Sequence, residues 1–411
     1  MRRLAAARSM LKSSSLGAAS LIRAVADAAR RWSDADFPPR VRVQNATVKR
    51  TGYTLPVVEF ALDRLFSSLD EHSLHASIVQ ELGSADALDR FVRHGNARMR
   101  AYPVGKVVIV SSQTTIGVAL VPALYALLAK CTVLVKDRED ALIAAFFQTL
   151  VEELPDIAGM LAARTWKSET GAGDRDLMLA DAVVAFGRDE TLAKIRAGLR
   201  PGARFIGYGH RASIGYVNRD ALDSHASALE IARGAARDVV LYDGEGCMSL
   251  HALFVERGGA IDLAQFAKLL VEAVAQASVE FPAGRLDPRI ASYCTGAVFR
   301  AALGRGSVLR TPDATATVIL EPPLSEPPPL LPRLLPLYAV DEPHECEEYV
   351  RSHALPLEAF AVATADERMA EFAASIGAVR VARFGELQSP AVGSHHGGRA
   401  RIADFVRWVD A

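Results

Sequence analysis

From Leu55 to Phe91 the apolar positions Val57, Val58, Phe60, Ala61, Leu65 and Phe66, then Leu74, Ile78, Val79 and Leu82, recur at helical spacing. The pattern predicts N-terminal helices that cover a sheet. The period then changes. Lys106-Val-Val-Ile-Val-Ser111 is a short β-branched run, followed by polar Ser112 to Thr115, a helical stretch from Ile116 to Lys130, and a second buried run, Cys131-Thr-Val-Leu-Val-Lys136. Strand, turn, helix and strand make the βαβ unit of a parallel sheet. The alternation continues with a helix over Ala141–Leu154, a strand at Ala182–Phe186 ending in Gly187, a helix around Leu192–Leu199, and strands near Arg204–Ile206 and Ser213–Val217. A doubly wound nucleotide-binding sheet accounts for this order, with ligand at the carboxyl ends of its strands. No G-x-G-x-x-G follows the first strand, so an ordinary Rossmann dehydrogenase is a poor match.

After Cys247 the pattern gives a strand at Ala252–Glu256 and a helix over Leu263–Ala277. The proline-dense segment Glu321 to Pro332 excludes regular helix or central strand, because each proline lacks a donor and restricts its predecessor. It reads as a rigid surface crossing. A chain of 411 residues exceeds the size at which one core keeps growing, so two packed domains are expected. We place them at residues 1–245, N-terminal helices plus a cofactor domain, and 246–385, a domain carrying Cys247. Residues 386–411 form a C-terminal segment that packs back on the body.

Net charge is −1 with both signs interspersed, which argues against a nucleic-acid partner. The four cysteines, Cys131, Cys247, Cys294 and Cys346, lie far apart without a C-x-x-C pair. Neither a structural zinc site nor a disulfide framework is expected, and a reducing cytoplasm fits this usage. Met1 to Arg30 is rich in Ala, Arg and Ser, which gives it the flavour of a transit peptide; a basic amphipathic helix packed on the body is preferred. No stretch reads as membrane-crossing.

The candidate chemistry centres on Tyr242-Asp-Gly-Glu-Gly-Cys247, which sets one cysteine in a glycine-loosened turn immediately before an apolar β-like run. Gly244 and Gly246 remove bulk on both sides of the attack line and allow backbone angles that aim N–H groups at an oxyanion. The competing reading is a buried structural thiol, since free Cys is among the most buried residue types.

The order of these elements, with Tyr102 to Ser111, Cys131 to Lys136 and the Gly-flanked Cys247, resembles the aldehyde dehydrogenase superfamily. Within it, Gly52 to Phe66, Gly209-His-Arg-Ala-Ser-Ile-Gly215 and His395 to Trp408 resemble the bacterial LuxC-type acyl-CoA reductases. The resemblance implies two doubly wound α/β domains and a nicotinamide cofactor, NADPH with NADH as the alternative. It matches Cys247 to the nucleophile, Lys136 to the adenosine-ribose contact, Glu139 to a nearby ribose acid, Gly187 to the pyrophosphate glycine, and Ser111 to the end of the first cofactor strand. Thr114, with Gln113 beside it, falls at the oxyanion-hole position.

The departures from that pattern carry information. Hydrolytic members place a general-base Glu where this chain has Phe205 to Arg211, and no acid occurs between Glu190 and Asp220. The family's ribose-contact acid falls near Leu330 to Arg333, which carries none. The absent water-activating acid fits a reductase of acyl thioesters, acyl-CoA or acyl-protein, better than an aldehyde oxidase. Reduction of an acyl phosphate or amino-acid semialdehyde is the alternative, as is a catalytically idle partner subunit. An acyl-transferring or acyl-activating protein is an expected partner, and no metal is expected at His395-His396 or elsewhere. His210 and Arg211 either bind phosphate or tune the thiolate, or hold a tight turn. Superfamily members commonly form dimers or tetramers, so a homo-oligomer is one expectation; yet the segment between Phe91 and Tyr102 leaves little room for an oligomerisation hairpin.

Overall fold

The computed structural model describes residues 16–112, 115–138, 141–166, 171, 173–304, 307–322, 324–391 and 393–411. They divide into two compact units, the first from Met1–Arg50, Glu59–Gly209 and Ala391–Ala411, the second from Thr51–Val58 and His210–Pro390.

In the first unit the basic N-terminal stretch becomes the helix Ala18–Ser33, which buries Leu21, Ile22, Val25, Ala28, Ala29 and Trp32. Arg23 and Arg30 stay exposed, as an amphipathic helix packed on a core requires. Trp32 packs at a tilt against Phe66 at 5.1 Å and Phe146 at 5.8 Å, and its indole N–H donates to Thr149 Oγ1 at 3.0 Å. Strands β1 (Val92–His94) and β2 (Ala97–Pro103) form an antiparallel hairpin. The expectation that this short segment lacks room for a hairpin is therefore corrected: the register needs only the turn between His94 and Ala97.

Strands β3 (Lys106–Val110), β4 (Thr132–Lys136), β5 (Leu161–Arg164), β6 (Ala182–Phe186) and β7 (Arg204–Tyr208) make one parallel sheet in the order β5-β4-β3-β6-β7. Val107, Val108, Ile109 and Val183 are fully buried, which explains why these strands read as continuous apolar runs instead of alternating ones. The chain leaves β3 toward β4 on one side and β6 toward β7 on the other. The carboxyl ends of β3 and β6 are thus a topological switch point, where the diverging connections open a crevice.

In the second unit, β8 (Ala212–Val217), β9 (Leu250–Glu256), β10 (Ser307–Arg310), β11 (Thr317–Leu320), β12 (Leu334–Val340), β13 (Leu357–Val362) and β14 (Arg380–Arg383) form a sheet ordered β10-β11-β12-β9-β8-β13-β14. All pairs but β10–β11 are parallel. The compact units separate after Gly209, not after residue 245. The reason is that β8 pairs with β9 and β13, and this long-range pairing carries β8 and the helix His225–Val240 into the cysteine-bearing unit. The prolines between Leu320 and Leu334 hold no helix or strand among the described residues. The last strand, β15 (Val406–Asp410), returns to the first unit and pairs antiparallel with β2, completing a three-stranded sheet. Among the described residues no helix is long and apolar enough to cross a membrane.

Candidate active site

Cys247 lies half-buried in the turn that leads into the amino end of β9. Three consecutive residues before it, Tyr242, Asp243 and Gly244, have φ of 54°, 52° and 75°. Glycine takes that region freely, but Tyr and Asp are strained in it and need surrounding contacts to stay there. Arg333 supplies them. Its Nε donates to Asp243 Oδ1 at 2.7 Å and its backbone N–H to the Asp243 carbonyl at 3.0 Å, while the Gly284 N–H donates to Asp243 Oδ2 at 3.1 Å. The rest of the guanidinium is used on Ser278 Oγ and on the Val240 and Phe281 carbonyls at the ends of two helices. The segment Leu330 to Arg333, which lacks the ribose acid, thus holds a buried arginine that clamps the cysteine turn.

Two hydroxyls fix the rest of the turn. Ser213 Oγ donates to the Cys247 carbonyl at 2.7 Å and accepts the Ala359 N–H at 3.1 Å. Ser249 Oγ accepts the Gly246 N–H at 3.2 Å and a bond from Gln388 Nε2 at 2.8 Å. Tyr53, from the Gly52 to Phe66 stretch, is buried against the same turn: its hydroxyl donates to Glu245 Oε2 at 3.3 Å and its ring meets Tyr242 edge-on at 6.0 Å.

Burial pushes the Cys247 thiol up to about 12, and the carboxylate of Glu358 pushes the same way; its own backbone N–H, Arg211 and the Met248 N–H pull it down. The backbone N–H groups of Cys247 and Met248 thus favour negative charge on the cysteine side of the turn. His251, buried behind the turn, accepts the Ser213 N–H on Nδ1 at 3.2 Å, and burial lowers its pKa to about 4. It is a neutral structural imidazole at ordinary pH. Arg211 faces Glu358 at 3.6 Å and donates to the Leu357 carbonyl at 3.0 Å, whereas His210 is exposed. Of that pair only Arg211 belongs to the cysteine's surroundings. Cys131 and Cys346 are fully buried, so access separates Cys247 from them.

The residues expected to hold the dinucleotide lie in the first unit. Ser111, Lys136 and Gly187 stand at the carboxyl ends of β3, β4 and β6, and the Ser111 N–H donates to the Lys136 carbonyl at 3.3 Å. Lys136 is buried, with Nζ 5.3 Å from the Trp166 ring centre, which corrects the alternative of a solvated strand-end lysine. Ser111 is fully buried and turns its hydroxyl back onto the Ser112 carbonyl at 3.1 Å. A Cβ added at Gly187 would meet nothing closer than the Thr191 side chain at 3.9 Å, so the protein itself leaves that space open. Open backbone at a switch point fits the close passage of a pyrophosphate. Gln113, Thr114 and Glu139 lie outside the described residues. His396 stacks on Tyr208 at 4.2 Å, and Tyr208 on Phe186 at 4.9 Å, an aromatic column in the first unit.

Two doubly wound units, one of them with a cysteine in a clamped turn ahead of a central strand, define an aldehyde-dehydrogenase-like protein. Solved structures agree on the fold. An aldehyde dehydrogenase from Brucella melitensis biovar abortus matches with a TM-score of 0.74 at 14% identity over 99% of this chain and 87% of that one. Glyceraldehyde-3-phosphate dehydrogenase GapN from Methanocaldococcus jannaschii, complexed with NADP, matches with a TM-score of 0.72 at 13% identity over 100% and 94%. Residues 15–408 match the family of LuxC acyl-CoA reductases, and the chain belongs to that family. The long-chain acyl-protein thioester reductase 2 of Photobacterium leiognathi is 24% identical over 243 residues, 57% of this chain and 49% of that protein. The corresponding reductase of Photobacterium phosphoreum is 23% identical over 55% of this chain and 46% of its own length. The chain spans about half the length of these curated relatives in the matched region.

Glu358, Arg333 and Ser213 were not singled out in the sequence. Glu358 is an isolated acid in the apolar run of β13, a pattern equally suited to a strand end, and Arg333 follows prolines whose spacing carries no chemistry. Ser213 lies inside the Gly209 to Gly215 stretch and Arg333 at the end of the Leu330 to Arg333 segment, but neither segment's pattern announces the role of that side chain.

Proposed function

We propose that this chain reduces an acyl thioester to an aldehyde with NADPH, through an acyl-Cys247 intermediate. The observation that carries the reading is the turn itself: a clamped, half-buried cysteine ahead of a central strand, in a member of the acyl-CoA reductase family. Cys247 as thiolate attacks the acyl carbon and expels the carrier thiol, leaving a thioester on the enzyme. Exchange between two thioesters needs little driving force. Lys136 and the open backbone at Gly187 would hold the dinucleotide, which when bound supplies the hydride. The N–H groups of Cys247 and Met248 stabilise the oxyanion of the thiohemiacetal, and its collapse frees the aldehyde and the thiolate.

The names of the Photobacterium relatives favour a long acyl chain on a protein carrier, whereas Leu250, Leu253 and Phe254 after the cysteine are buried strand core. An acyl-transferring protein is then the partner that delivers it, and the β1–β2–β15 sheet is available to a homo-oligomer. The test is loss of NADPH absorbance with acyl-CoA esters of graded chain length, wild type beside Cys247→Ala. Aldehyde formation that disappears in the variant supports the reading. A folded wild type that consumes no cofactor with any thioester, but does so with an acyl phosphate, replaces it with the polar-substrate alternative.

A further inference from the structure

If Cys247 is acylated by thioesters, its proton needs an acceptor, and the acid of the hydrolytic relatives is missing from its place. The neighbouring strands β9, β8, β13 and β14 bring together, at their amino ends, Cys247, Arg211, Glu358 and Arg380. One hydroxyl, that of Ser213, joins the Cys247 carbonyl to the N–H of Ala359, the residue after Glu358. The Glu358 side chain is 8% exposed and lies 3.6 Å from the Arg211 Nε. Arg380, on the far side, interacts electrostatically with Glu358 and donates to the Leu387 and Glu386 carbonyls.

A fixed carboxylate here opposes a thiolate, so as a static ion-pair partner Glu358 works against the nucleophile. Moving a proton from sulfur to that carboxylate removes the conflict. One negative charge then passes from Glu358 to Cys247 while Arg211 and Arg380 keep the total balanced. His251 accepts the Ser213 N–H on Nδ1, so that nitrogen is already committed.

We propose that Glu358 accepts the Cys247 proton as sulfur attacks the thioester and returns it to the departing carrier thiolate. The thiol S–H bond breaks as the carboxylic O–H forms, and the carrier leaves as its thiol with the carboxylate restored. This step rests on the thioester reading above.

The experiment is single-turnover acylation of the full chain by an acyl-CoA without dinucleotide, followed by intact mass, in wild type, Glu358→Gln and Glu358→Asp. Alkylation of Cys247 by iodoacetamide is run in parallel. General-base loss predicts acylation about 10²–10⁴-fold slower in Glu358→Gln at neutral pH. The deficit narrows as pH rises toward the thiol's own ionisation, and Glu358→Asp recovers part of the rate. Alkylation, which uses preformed thiolate, holds steady or speeds up because a negative neighbour is gone. Acylation by Glu358→Gln that equals or exceeds wild type overturns the proposal, as does a parallel fall in acylation and alkylation, which marks a collapsed turn. A wild type that takes no acyl group defeats the thioester reading itself, a result distinct from either.

Discussion

The two parallel sheets carry their candidate chemistry at opposite ends. In the first unit Ser111, Lys136 and Gly187 stand at the carboxyl ends of their strands, where the switch between β3 and β6 opens a crevice by topology alone. In the second, Cys247, Arg211, Glu358 and Arg380 stand at the amino ends, where the connections supply no such opening. The site there has to be constructed. It takes a left-handed run at Tyr242–Gly244, a buried arginine clamp and two bridging hydroxyls. At the cysteine edge a site is held together by stability, whereas at the edge bearing Lys136 and Gly187 what is offered is space.

The sharpest way to break that contrast is Asp243→Ala. The substitution strands the Arg333 guanidinium, 2% exposed, without its carboxylate and frees a strained turn. Breaking a buried pair from one side costs about 3–5 kcal/mol. Denaturant unfolding should show a loss of that size, accompanied by a fall in Cys247 acylation. An unaltered midpoint would mean that the turn does not need its clamp.

A second effect follows from pH. Asp238, fully buried in the helix His225–Val240, accepts the N–H groups of Gly385 and Leu387, and burial pushes its carboxyl up to about 7. That turn leads into Gln388, which reaches the cysteine turn through Ser249. Because the folded-state pKa is raised, the folded protein binds the proton more tightly than the unfolded chain. The stabilisation is complete below about pH 4 and is lost as pH rises through about 7, at up to roughly 1.4 kcal/mol per pH unit. Wild type should therefore lose stability relative to Asp238→Asn across that window and hold a constant offset above it. Parallel stability curves for the two proteins from pH 4 to 8 would remove Asp238 as the titrating group.

What the sequence revealed follows the same division. Strands β3, β4 and β6 were legible because β-branched runs buried on both faces leave a local signature, and their order placed Lys136 and Gly187 at one edge. Cys247 was legible through its glycines. The clamp was not, because Arg333 and Asp243 meet only when β12 has paired beside β9, and no local pattern announces a contact 90 residues apart. The domain boundary failed for a related reason: β8 looks like the next strand of the first sheet until its pairing with β13 is known. Glu358 needed the same pairing to come near the cysteine.

The smallest structural effect belongs to Gly187→Ala, and it tests the cofactor edge most directly. Gly187 is not among the residues with positive φ, and the added methyl would meet only Thr191 at 3.9 Å. The folded protein therefore tolerates alanine, and a less flexible unfolded chain offers up to about 0.4–1 kcal/mol of added stability. If the backbone there lies against a pyrophosphate, the methyl occupies the ligand's space, and NADPH affinity measured by fluorescence titration should drop several-fold while the unfolding midpoint stays level or rises. Affinity equal to wild type would place the dinucleotide away from Gly187. A lowered midpoint would show that the glycine serves the fold, and the contrast between an edge governed by space and one governed by stability would lose its first half.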